Sequence, residues 1–126
     1  MPTILALCAG ACTGALLRWQ LGLWLSTAGS LAWGTLAANA LGGYLIGLVL
    51  AILQSHPHLD PLWRLVLVTG FLGALTTFSS FSAEVWALLQ AQRWGIALLW
   101  AMGQVLLSVT LTGLGWWSAH AAGWAR

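Results

Sequence analysis

Gly70-Phe-Leu-Gly-Ala-Leu-Thr-Thr-Phe-Ser-Ser-Phe-Ser82 lies in the middle of an apolar run long enough to cross a membrane. Two glycines, five hydroxyl side chains and two phenylalanines three apart, Phe78 and Phe81, stand where lipid favours leucine and valine. Hydrocarbon satisfies neither freed backbone groups nor stray hydroxyls, so polarity at that depth must face protein, water or a ligand. Glycine loosens a helix, and serine and threonine compete for its carbonyls. The midpoint of the run from Trp63 to Leu89 is Thr76. The segment therefore predicts a span broken near its middle, and it is the first candidate for the working part of the protein.

The rest of the chain supplies the setting. Of its 126 residues, 60% are hydrophobic and only 5% charged, whereas a soluble domain carries roughly a quarter charged residues. So few charges do not cover a water-exposed surface. The class is an all-α integral membrane protein. A span needs about 20 apolar residues, and four fit: Thr3–Leu25, Gly34–Leu53, Trp63–Leu89 and Gly95–Trp117. Residues 1–126 then read as a single four-helix transmembrane domain. The link from Ser55 to Leu62 holds Pro57, Asp60 and Pro61 and is a turn outside the core. The first span has no basic start and carries Arg18 inside it, so it reads as mature structure rather than a signal peptide.

Most of the ten tryptophans fall at or near span ends, where indole rings anchor at the interface. Trp86 and Trp100 lie further inside. Cys8 and Cys12 share a face of the first helix with no histidine or acid nearby in sequence, and read as small buried thiols. No acid–base pair or nucleophile constellation presents itself, so an enzyme is not expected.

There is no lysine, and the four cations are Arg18, Arg64, Arg93 and Arg126. Orientation in the membrane follows the Lys/Arg bias of short loops. Arg64 and Arg126 belong to one side, Arg93 and the half of helix one bearing Arg18 to the other. The balance favours neither orientation. It predicts dual topology, with two chains paired antiparallel about a two-fold axis in the membrane plane. Gly10-x-x-x-Gly14 and Gly43-x-x-x-Gly47 are small-residue pairs that let helix backbones approach closely.

Polar residues inside the spans form the remaining signal. Arg18 costs about 2.5–3.5 kcal/mol at a helix centre on insertion scales and either snorkels to the interface or faces a polar path. The Asn39 amide either bridges two helices or lines a pathway. A helix broken at Thr76 frees carbonyls at mid-membrane, and a bound cation is one way to satisfy them. Phe78 and Phe81 share a helical face, and a phenyl edge is electropositive enough to meet an anion without trapping it. Gln104, Ser108 and Thr112 recur every fourth residue as a polar line, and Glu84 stands one turn beyond Ser80. Their joint presence favours an ion pathway. The residues alone leave a passive channel and a coupled antiporter both open.

Three motifs in order, Gly10-Ala-Cys-Thr-Gly14-Ala-Leu-Leu-Arg18, Gly34-Thr-Leu-x-x-Asn39-x-x-Gly42 and the Gly70–Ser82 stretch, resemble the CrcB/Fluc family of fluoride channels. The resemblance spans the whole chain. It implies an antiparallel homodimer in a bacterial inner membrane, exporting fluoride passively through two pores. It further implies that Asn39, Phe78 and Phe81 line the ion path, with Arg18 near a vestibule; Thr77, Ser80, Glu84, Gln104 and Ser108 join that path as the polar groups read from the spans themselves. The carbonyls of Gly73 and Thr76 match positions that hold a central structural sodium ion. The family's polar track on the last helix is often headed by tyrosine, and here the line reads Trp100, Gln104, Ser108. The alternative is a proton-coupled transporter of the small multidrug resistance type. Such proteins use a glutamate in the first helix, and residues 3–25 hold no acid.

Overall fold

A computed structural model describes residues 1–25 and 31–125. Four helical segments are long and apolar enough to cross a membrane: Pro2–Leu25, Trp33–Ser55, Pro61–Gln90 and Trp94–Ala121. They coincide with the four spans expected from the sequence, the first longer by one residue and the others by a few. The first is α1 (Pro2–Leu25) and the second α2 (Trp33–Ser55). The fourth is α6 (Trp94–Ala121).

The third span is composite. It runs as α3 (Pro61–Arg64), a π-helical stretch π1 (Leu65–Leu72), α4 (Gly73–Leu75) and, after an interruption, α5 (Phe78–Gln90). Its start is capped locally. Asp60 accepts a hydrogen bond from the Leu62 N–H at 2.8 Å, and Pro61 occupies the first helical position, where a missing N–H costs nothing. Thr76 (φ −82°, ψ 152°) and Thr77 (φ −149°, ψ 116°) are extended, so the helix is broken where the sequence places the midpoint of the span. Beyond the break Thr77 caps α5, its hydroxyl accepting from the Ser80 N–H at 3.2 Å. A turn at Gln92 (φ 57°) then sends the chain back as α6.

Packing relies on close backbone approach. α2 lies along α6, where a Cβ on Gly43 would sit 2.9 Å from the Ser108 carbonyl and one on Gly47 would overlap the Thr112 carbonyl. α1 lies along π1 in the same way: a Cβ on Gly10 would stand 2.6 Å from the Val66 carbonyl. Both glycine pairs singled out in the sequence are thus seams between helices, where dispersion between backbones substitutes for the hydrophobic drive that lipid lacks. A small core of Ala38, Leu72 and Leu75 closes the bundle near the break, with Leu17 and Leu21 packed against it. Most other large apolar side chains point outward, among them Trp24, Trp63, Trp86, Trp94 and Trp117. Trp86, inside its span, therefore reads as an outward-facing side chain. Cys8 and Cys12 are exposed rather than buried, because their face of α1 points away from π1.

Candidate functional site

The site is built around the break. In an uninterrupted helix the Thr77 N–H would bond to the Gly73 carbonyl. Here it is donated to Asn39 Oδ1 at 2.8 Å, and Asn39 Nδ2 returns a bond to the Thr77 carbonyl at 3.2 Å. One side chain from α2 therefore satisfies both backbone groups of a residue that is 8% exposed. Leaving either group unpaired in so dry a place costs about 1–3 kcal/mol, which explains why an amide, with one acceptor end and one donor end, stands opposite the break.

The amide network continues onto α6 and α5. Asn39 Nδ2 also donates to Gln104 Oε1 at 3.3 Å, and Gln104 Nε2 donates to Glu84 Oε2 at 3.4 Å. Trp100 Nε1 donates to the same carboxylate oxygen at 3.1 Å, with the Trp100 ring edge-on to Trp33 at 5.4 Å. Gln104 is only 4% exposed. A second cluster surrounds the α5 cap, where the Thr77 hydroxyl lies 3.1 Å from Ser79 Oγ and 3.2 Å from Ser80 Oγ.

Beside these groups lies a cavity of about 470 Å³. Asn39, Thr77, Phe78, Phe81, Gln104 and Ser108 line it with Gly42, Gly43, Gly73, Thr76 and Thr112, and the apolar Ile46, Val68, Leu72, Val105 and Val109 complete its wall. The two phenyl rings stand 5.5 Å apart at 53°, and Phe78 is 78% exposed on this single chain. The N-terminus of α5 borders the cavity, contributing the positive end of a helix dipole. The wall therefore offers amide, hydroxyl and helix-end donors together with ring edges, and no full positive charge.

Residues 5–116 match the family described as CrcB-like protein, Camphor Resistance (CrcB). The chain belongs to the CrcB family. A relative from Albidiferax ferrireducens, named fluoride-specific ion channel FluC, is 57% identical over 118 residues, covering 90% of this chain and 89% of the relative. Proteins of the same name from Variovorax paradoxus and Paracidovorax citrulli are 58% identical over 112 residues and 50% identical over 126. The shares covered are 89% of this chain and 90% of the first relative, and 93% of this chain and 97% of the second. With four spanning helices, this CrcB-family chain is a multi-pass membrane protein.

The CrcB-family motifs converge on the cavity unequally. Asn39, Thr77, Phe78, Phe81, Gln104 and Ser108 meet in its wall. Ser80 joins through Thr77, and Glu84 through Gln104, without lining it. Arg18 does not join this group: it is half-buried on α1, which packs chiefly on π1 and away from α6. Gly73 opens α4 just before the break, and Thr76 is the first extended residue of the break. The Thr76 hydroxyl turns back to donate to the Leu72 carbonyl at 2.9 Å. Among the described residues no three acids, histidines or cysteines cluster as metal ligands. Sequence reasoning missed the Trp100–Glu84 bond. The only available signal was a tryptophan inside the span four residues before Gln104.

Proposed function

We propose that this protein is a passive fluoride channel of the bacterial inner membrane and has no enzymatic activity. The observation that carries the reading is the cavity at the break in the third span, in a chain 57% identical to a fluoride-specific ion channel over most of both lengths. Fluoride is small and strongly hydrated, so stripping its water requires hydrogen-bond donors. The Asn39 amide, the Thr77 and Ser108 hydroxyls and the N-terminus of α5 are such donors, with Ser80 behind Thr77. The ring edges of Phe78 and Phe81 offer weak positive potential where a cationic side chain would hold the ion too long for throughput. Glu84 and Gln104 lie at one end of the same path, and Arg18 serves a vestibule away from the cavity.

The active form is an antiparallel homodimer of dual topology with one pore on each side of its two-fold axis. Supporting this are the even split of arginines and the exposure of Phe78, which leaves the cavity open on one side of a single chain. At the axis, the carbonyls of Gly73 and Thr76 from both copies hold a structural sodium ion. The donor set fits: the Thr77 N–H that would close on Gly73 is spent on Asn39, and neutral oxygens without carboxylates suit a monovalent cation better than calcium, which takes 6–8 oxygens.

Efflux from liposomes holding the purified protein tests the function. With a potassium ionophore present, an internal fluoride load is released and a chloride load retained. No fluoride release, or equal chloride release, overturns it. Exchange of sodium for a bulky organic cation lowers the thermal stability of the dimer, and sodium restores it; an unchanged melting curve removes the ion from the axis.

A further inference from the structure

The direction of every amide in the buried network is dictated by its two ends. At one end is the Thr77 N–H, which only donates. At the other is the Glu84 carboxylate, which only accepts when ionised. Between them the bonds run one way: Thr77 N–H to Asn39 Oδ1, Asn39 Nδ2 to Gln104 Oε1, Gln104 Nε2 to Glu84 Oε2. Trp100 Nε1 adds a second donor to that carboxylate. Flipping either amide would set donor against donor at one junction and acceptor against acceptor at another. The assignment of oxygen and nitrogen follows from this polarity.

One consequence concerns Asn39. Its amide has two N–H groups, and both rest on protein acceptors, the Thr77 carbonyl and Gln104 Oε1. The first bond holds the break. The second, at 3.3 Å, is made to a side chain that itself lines the cavity. We infer that Gln104, aimed by Glu84, is a positioning residue that keeps the second Asn39 N–H on an internal acceptor which a passing anion displaces. Gln104 Oε1 is a resident competitor. It satisfies the amide while the site is empty and weakens anion binding by the strength of the bond the anion must replace. A site whose donor is already partnered binds less tightly and releases faster, which favours throughput over occupancy. The inference rests on the fluoride reading above and assigns to Gln104 a role distinct from direct contact with the ion.

Gln104→Met keeps the length of the side chain and removes the acceptor. One neutral hydrogen bond corresponds to roughly a fivefold change in an equilibrium constant. The fluoride concentration giving half-maximal flux in liposomes is expected to fall about fivefold, with the maximum flux per dimer reduced. Gln104→Ser, too short to bridge Asn39 and Glu84, shifts the half-saturating concentration in the same direction and serves if the methionine variant does not assemble. Glu84→Gln frees Gln104 to turn its donor end toward the cavity and also lowers that concentration. Because Glu84 acts through Gln104, adding Glu84→Gln to Gln104→Met changes nothing further. A conducting wild type whose variants keep the same half-saturating concentration, losing only yield or amplitude, overturns the inference. So does an additive double variant, which would assign Glu84 a direct effect on the anion. A wild type that carries no fluoride overturns the channel reading first and the displacement with it.

Discussion

Asn39→Ala removes the one side chain that bridges the broken third span. Two bonds to Thr77 are lost, the 2.8 Å bond from its N–H and the 3.2 Å bond to its carbonyl, along with the 3.3 Å bond to Gln104. Thr77 is 8% exposed and Gln104 4%, so solvent reaches neither freely. An orphaned buried backbone group costs about 1–3 kcal/mol, and two of them give roughly 2–6 kcal/mol before relaxation. Water entering from the adjacent cavity recovers part of this, so the lower half of the range is the expectation. The chain has one cheap escape: re-forming the helix through Thr77 would restore a bond to Gly73, but it would swing the Thr77 cap off α5. Thermal unfolding in detergent, followed by loss of the folded species on size exclusion, reads the effect. The melting temperature is expected to drop by several degrees and fluoride flux to be lost in the surviving protein. Asn39→Asp keeps the acceptor for Thr77 N–H but turns a second oxygen on the Thr77 carbonyl and Gln104 Oε1, so it is no milder while ionised. If Asn39→Ala melts like the wild type, the break is held by something else and the reasoning fails.

Three further expectations can be checked in the same preparations. Phe78→Ile and Phe81→Ile each cut fluoride flux strongly while dimer yield survives; retained flux per folded dimer with lost yield would make the rings packing alone. Gly43→Ala brings a methyl group to 2.9 Å from the Ser108 carbonyl, and overpacking of this kind costs about 1–3 kcal/mol of stability. Gly95→Ala meets nothing within 4 Å and leaves the melting curve unchanged or slightly raised, which separates the clash from loss of glycine as such. Several lysines added in the turn between α5 and α6 force one orientation and abolish flux, and a copy biased the other way restores it. Full activity from a single orientation would exclude antiparallel pairing.

The four spans and the break at Thr76–Thr77 were decided by the sequence. Transfer of apolar residues into lipid adds up along a stretch and needs no knowledge of neighbours, and the glycine and hydroxyl residues of 70–82 weaken the helix where they stand. The glycine pairs were equally legible as seams, since a missing Cβ permits close approach whichever helix supplies the partner. Which groups meet was decided by tertiary structure alone. Asn39 bonds to Thr77, 38 residues away, and to Gln104, 65 away. Nothing local to any of them specifies that pairing. The eight-residue π-helical stretch Leu65–Leu72 was invisible too. Its wider turns change which side chains face α1 and how α4 enters the break, yet its composition is that of an ordinary apolar helix. Arg18 and Glu84 mark the same boundary. Sequence could name them as polar groups in a membrane, but α1 packs on π1, α2 and α4 and contributes no residue to the cavity wall, so Arg18 stays outside it, while the turn at Gln92 brings Glu84 against Trp100 and Gln104. Hydropathy is a sum over residues and survives without a fold. The direction in which a side chain points is a property of packed helices, and the site depends on direction.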